Sequence, residues 1–120
     1  MEGCIKLLTQ ELRRKLPKLY SQENETDPMV ICKFFGPDFA WTWYAIEGSP
    51  VDKDGFYDTD KEKVDFLFFG FVVGIEPELG YFTLSELSKV RGVLGLPIER
   101  DLWFKPIRLS EVKKLHSITK

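Results

Sequence analysis

The sequence predicts an α+β fold: a mainly antiparallel sheet of four to five strands with a β-meander core, and short N-terminal, post-sheet and C-terminal helices. Three observations carry that reading. Val64 to Gly74 is apolar on both faces after Asp65, as in a strand covered on both sides. Gly36-Pro-Asp-Phe39 has Pro at the second turn position between two segments rich in β-formers, which suits a hairpin. Thr83-Leu-Ser-Glu86 has the spacing of a capping box, so a helix starts where the last meander strand ends.

The elements follow in order. Leu8, Leu12 and Leu16 fall four apart on one face of a short helix that Thr9 can cap. Pro17 ends it, because the residue before a proline is pushed out of helical geometry. Ser21 to Pro28 is polar and reads as a loop. Met29 to Phe35 is the first strand and Ala40 to Ile46 its return, with Trp41 and Trp43 on one face and Thr42 and Tyr44 on the other. Glu47 to Lys63 gathers Asp52, Asp54, Asp58, Asp60 and Glu62 and reads as an exposed acidic excursion. Beyond Val64 to Gly74, Glu76-Pro-Glu-Leu79 turns the chain, Gly80 is placed to take a left-handed conformation, and Tyr81 and Phe82 begin a short fourth strand. The capped helix carries Leu84 and Leu87 inward and stops at Gly92. Asp101 to Lys105 is the candidate fifth strand, and Ser110 to Leu115 or His116 the final helix.

Composition sets the class. A chain of 120 residues with 43% hydrophobic and 14% aromatic content can bury one packed core, and residues 1–120 are expected to form one domain. The opening Met1-Glu-Gly-Cys-Ile-Lys6 leads into no long apolar run, so no signal peptide is expected. Phe66 to Ile75 is too short to span a bilayer as a helix. The expectation is a soluble, cytoplasmic protein with no membrane association, its two cysteines, Cys4 and Cys32, reduced. Charge is segregated: residues 1–20 balance to +3, 21–80 to −9 and 81–120 to +4. Either the termini build a binding surface or the segments neutralise one another in the fold, and neutralisation is the simpler expectation.

Tests for chemistry are mostly negative. One His and two distant Cys make no zinc set, and the acidic excursion places Pro50 and Lys61 where an EF-hand needs ligands. No Gly-x-Ser-x-Gly elbow, phosphate loop or dinucleotide fingerprint occurs, so neither metal nor cofactor is expected. Cys32 reads as a core residue, with a Cys32–His116 pair reachable only through tertiary contact, and His116 is expected at the surface. Glu76, Glu99 and Asp101, with Arg100 between the last two, are weak candidates for acid–base work, more simply read as turn charges and an ion-pair centre. Phe69-Gly-Phe-Val72 echoes half of an RNA-binding aromatic motif, and Gly92-Val-Leu-Gly95 has the form of a backbone-clamping Gly-x-x-Gly. Both lack the basic residues those roles need.

Several stretches carry a family resemblance: Leu8-Thr-x-Glu-Leu12, Leu19-Tyr-Ser-Gln-Glu23, Trp41-Thr-Trp-Tyr-Ala45, Phe69 through Phe82, and Gly95-Leu-Pro-Ile-Glu-Arg-Asp-Leu-Trp-Phe104. The chain resembles the bacterial family described as domain of unknown function 2958 over most of residues 7–112. That resemblance implies no assigned activity and no catalytic residue. It does imply an accessory role in mobile elements, in transfer, defence or counter-defence.

The leading expectation is a non-catalytic interaction protein with an unidentified protein partner, using Trp41, Trp43, Tyr44 and Tyr81 as its contact surface. The first alternative is direct nucleic-acid binding, with Arg13, Arg14, Lys15, Lys18, Lys113 and Lys114 on phosphates. The second is a small carboxylate-based hydrolase gathering Glu76, Glu99, Arg100 and Asp101.

Overall fold

The computed structural model describes residues 6–117. Cys4 lies outside them. Within them the fold is α+β, as the sequence predicts. The main sheet is antiparallel with strand order β5-β4-β3-β2-β6. Its meander comprises β2 (Cys32–Phe35), β3 (Thr42–Val51), β4 (Asp65–Val73) and β5 (Pro77–Thr83). The short β6 (Glu99–Arg100) adds to the free side of β2. A two-stranded ribbon pairs β1 (Met29–Val30) with β7 (Ile107–Arg108).

The sheet is covered on both faces, and alternation along β3 decides which residue goes where. Trp43 and Ala45 join Phe34, Phe66, Phe68 and Phe82 on one face, under Leu8 and Leu16 of the α1 region (α1, Gln10–Lys15) and Leu87 of α2 (Leu84–Lys89). Tyr44 and Ile46 join Val30 and Phe71 on the other, under Leu109 and Val112 of α3 (Leu109–Leu115). The first core is a chain of rings: Phe68 lies edge-on to Phe34 at 5.5 Å and stacks on Phe82 at 5.1 Å. Buried aromatic pairs of this kind add about 0.5–1.5 kcal/mol beyond their area.

Local signals worked at the helices. Thr9 Oγ1 accepts from Leu12 N, and Thr83 with Glu86 forms the reciprocal capping box. Gly70 shows why a bulky residue is barred from mid-β4: a Cβ there would sit 1.9 Å from the Tyr44 carbonyl oxygen. The Phe69-Gly-Phe-Val72 echo is thus a strand packed tightly against its neighbour.

Long-range pairing overturned other expectations. The Met29–Phe35 strand is divided, because Met29 and Val30 pair with β7 whereas Cys32 to Phe35 pair with β3. β3 runs on to Val51, so Glu47 to Val51 is buried strand rather than exposed excursion, save Pro50. Asp101 to Lys105 forms no strand. The Asp101 carboxylate accepts from Trp103 N and turns the chain, while its own N–H donates to Lys33 O. β5 starts at Pro77, earlier than expected, and Gly80 lies opposite Gly70 in the ladder without a positive φ. α2 ends at Lys89 with Val90 as its cap, short of Gly92.

Candidate functional site

Two concave regions stand out, one on each side of the sheet, and one strap of chain connects them. After α1, the segment from Leu16 to Gln22 crosses the edge of β3 beyond the point where β2 stops. Four hydrogen bonds fasten it. Gly48 N donates to Pro17 O at 2.9 Å and Leu19 N to Ser49 Oγ at 3.1 Å. Tyr20 N and Gln22 N donate to the two oxygens of Glu47, at 2.8 and 2.7 Å. Glu47 is buried, and these charge-assisted bonds are what make a carboxylate tolerable there. A β-bulge at Ile46 between Ala45 and Glu47 aims that side chain at the strap.

The first region is a cleft of about 580 Å³ lined by Arg13, Arg14, Lys18, Lys63, Gly48, Ser49, Pro50, Leu16, Tyr57 and Phe66. Among the described residues, four of those lining it are cationic and none is acidic. Among the described residues, no carboxylate lies within 4.0 Å of these four cations. Arg13 is braced over the Phe66 ring at 5.0 Å. Lys63 is held by the carbonyls of Thr59 and Lys61. Tyr57 is 42% exposed, with its ring tilted against that of Tyr20 at 5.8 Å.

Asp52 holds this acidic loop in shape. Its carboxylate accepts from Asp54 N, Phe56 N and Thr59 Oγ1. The Thr59 bond first, then the Phe56 amide, draws its pKa from the ordinary 3.8 down to about 2. An aspartate expected on a solvated excursion is thus the loop's internal anchor. Among the described residues, no group of three or more His, Cys, Asp or Glu is placed to hold a metal ion.

The second region is a cavity of about 410 Å³ on the α3 side. Ile46, Glu47 and Phe69 form its floor, the strap and the loop through Pro28 one wall, Leu79 and Tyr81 the other. The rings of Tyr20 and Tyr81 stand 6.3 Å apart, and Phe69 lies 5.0 Å from Tyr81. Tyr20 has a φ of 69°, the left-handed region that a bulky residue occupies at a cost.

The sequence-derived candidates divide clearly. Arg13, Arg14 and Lys18 meet in the cleft, joined by Lys63, which sequence reading passed over because it belongs to the acidic excursion. Lys15 pairs with Glu11 at 3.3 Å instead. Lys113 and Lys114 belong to α3, across the sheet, so the two basic ends do not make one surface. Trp43 and Tyr44 are buried core residues, a correction that follows from two-sided coverage of β3. Trp41 packs over Gly74 and stays partly exposed, while Tyr81 lines the cavity. Glu76 sits in the β4–β5 turn, whereas Glu99 and Arg100 form β6 at the opposite sheet edge, so these four are not gathered. Asp101 pairs with Lys33 at 3.6 Å, and Arg100 Nε donates to Lys6 O.

His116 is half-buried rather than exposed, with Nε2 2.7 Å from Tyr44 Oη, and burial lowers its pKa. It cannot reach Cys32, which faces the other core and whose thiol burial pushes up to about 12. Among the described residues no helix is long and apolar enough to cross a membrane.

An antiparallel meander clothed on both sides, with a cationic cleft on one and an aromatic cavity on the other, places the chain in the α+β class. Residues 7–117 match the family model described as protein of unknown function (DUF2958), and the chain belongs to that family. Comparison with curated proteins and with solved structures gives no match.

Proposed function

We propose that this protein is a non-catalytic macromolecule-binding protein whose basic cleft takes a nucleic-acid strand. The observation that carries the reading is the convergence of Arg13, Arg14, Lys18 and Lys63 in one cleft without a lining acid, beside the exposed ring of Tyr57. Cations that track a phosphate backbone and a ring on which a base can stack are the two elements of sequence-tolerant single-strand binding. Such a protein would suit the accessory role in a mobile element's nucleic-acid processing that the family resemblance implies. The dispersal of Glu76 from Glu99, Arg100 and Asp101 gives no support to a hydrolase.

Fluorescence anisotropy with a labelled single-stranded oligonucleotide tests it. Four phosphate contacts correspond to a log–log salt slope of about −2.8, or roughly fiftyfold weaker binding between about 50 and about 200 mM salt. Affinity that stays flat over that range rejects the reading.

A protein partner is the second reading, favoured by a specific feature. Ile75, Val93 and Leu94 are 91%, 85% and 77% exposed at the end of the sheet where Trp41 also lies. Capture experiments with nuclease, using wild type against Leu94→Asp, separate the two. A partner that survives nuclease and is lost with the variant selects this end of the molecule.

A further inference from the structure

We propose that the cavity between Tyr20 and Tyr81 is a binding site for a small alkylammonium ion. The inference is independent of the nucleic-acid reading, since it concerns the other side of the sheet and a ligand of opposite charge.

The chemistry of the walls makes the case. Tyr20, Tyr81 and Phe69 pack against one another as tilted rings and together line a space of about 410 Å³, large enough for a compact organic ion. Ring faces carry negative potential and attract a cation within about 6 Å of their centroids. Below them lies the buried carboxylate of Glu47. Each of its oxygens accepts one backbone N–H, and a carboxylate oxygen has capacity for a second donor. Glu23, next to the strap, adds negative charge, while Glu25 is paired with Arg108 at 3.7 Å. Among the described residues the one cation on the lining is Lys113, whose ammonium is drawn over the Phe71 ring at 6.0 Å, at the α3 end.

Two alternatives fail on the same geometry. A hard metal ion needs several oxygen ligands converging at short range, and among the described residues no such group of carboxylates exists. An anion would meet the carboxylates of Glu23 and Glu47. Partial burial raises the Tyr81 phenol, with Tyr20, Glu47 and Glu23 adding to the shift. The Tyr81 ring therefore lines the cavity as a neutral phenol.

The cavity is also built at some cost. The left-handed Tyr20 opposes stability, and it bears on this space. An observed strain of this kind is grounds for a functional hypothesis, and the aromatic lining says which ligand.

The test is a titration of the protein with n-butylammonium chloride, followed by the backbone amide signals of Tyr20 and Gln22, the two donors to Glu47. The neutral match is 1-butanol. Butylammonium should bind roughly threefold to thirtyfold more tightly than the alcohol, the range expected of ring–cation attraction. Tyr81→Leu, a change at a half-exposed position of an edge strand, should remove that preference while leaving the fold intact. Glu47→Gln should weaken binding as well, but it also loosens the strap, so Tyr81→Leu is the deciding variant. Nα-acetyl-lysine methylamide distinguishes the source of the ammonium group. Tighter binding than butylammonium indicates a lysine side chain of a peptide, and weaker binding a free amine. Equal response to amine and alcohol, no response to either, or an unaltered preference in Tyr81→Leu overturns the proposal.

Discussion

The cleft and the cavity lie on opposite sides of one strand yet are made in opposite ways. The cleft is formed by long cationic side chains that reach out from α1, the strap and the acidic excursion, and its charges are exposed. The cavity is formed by rings and a buried carboxylate anchored to backbone N–H groups. The first therefore answers to ionic strength and tolerates movement of any one side chain. The second answers to shape and fails when its anchor is lost. Charge segregation along the sequence is thus partly cancelled and partly sorted by side. The Arg108–Glu25 pair joins an excess charge of each segment, Lys33–Asp101 joins the minority charge of each, and the N-terminal cations in the cleft keep their charge unpaired among the described residues.

The two regions share one support. Phe68 is fully buried between Phe34 and Phe82, beneath α1 and α2. Phe68→Ala should cost about 3–5 kcal/mol, and both regions should fail together in urea unfolding monitored by intrinsic fluorescence. Glu47→Ala attacks the link and the cavity floor but not the cleft lining. It leaves the N–H groups of Tyr20 and Gln22 without their acceptor, an expected loss of about 1.5–3 kcal/mol. Hydrogen exchange should then accelerate first at residues 19–22, with the α2 amides protected. Uniform loss of protection would show that the strap is not a separable unit.

The contrast is sharpened by changes that touch one side. Arg14→Ala with Lys63→Ala should move stability by no more than about 0.5 kcal/mol. The pair should also lower the salt slope of oligonucleotide binding by about 1.4. An unchanged slope would place the strand elsewhere.

Acid gives the smallest effects. A carboxyl with a folded pKa below its unfolded value stabilises the fold above the unfolded pKa and loses that contribution as pH falls through the folded one. Asp52 should therefore hold residues 52–59 together from above pH 3.8 down to about 2, and Asp52→Asn should remove that dependence. His116, whose pKa burial lowers, obeys the same sign from its ordinary 6.5 downward. Its contact with Tyr44 should persist at neutral pH and weaken on acidification, visible in the His116 ring signals.

What could be read from the sequence is what local rules control. The caps at Thr9 and Thr83, the alternation that splits Trp43 from Tyr44, and the two-sided apolar run of β4 all depend on residues close in sequence. Glu47 was misplaced because its partners, the amides of Tyr20 and Gln22, lie more than twenty residues earlier, and composition alone assigns a glutamate to the surface. Strands as short as β1, β6 and β7 carry too few residues for any period, so only their long-range partners define them. The cleft was half visible: Arg13, Arg14 and Lys18 stand out in the chain, but Lys63 arrives through tertiary structure.

The strap has a consequence for association between copies of this chain. β2 pairs with β3 only from Thr42 to Ala45, and the rest of that side of β3 would present unpaired peptide groups. Pro17 fills part of the gap with its carbonyl, and a proline offers no N–H from which a further ladder could grow. The strap thus serves as an edge guard. A chain shortened to begin after Gln22 would expose an adhesive strand border, and should pass from a dispersed state to strand-paired aggregates.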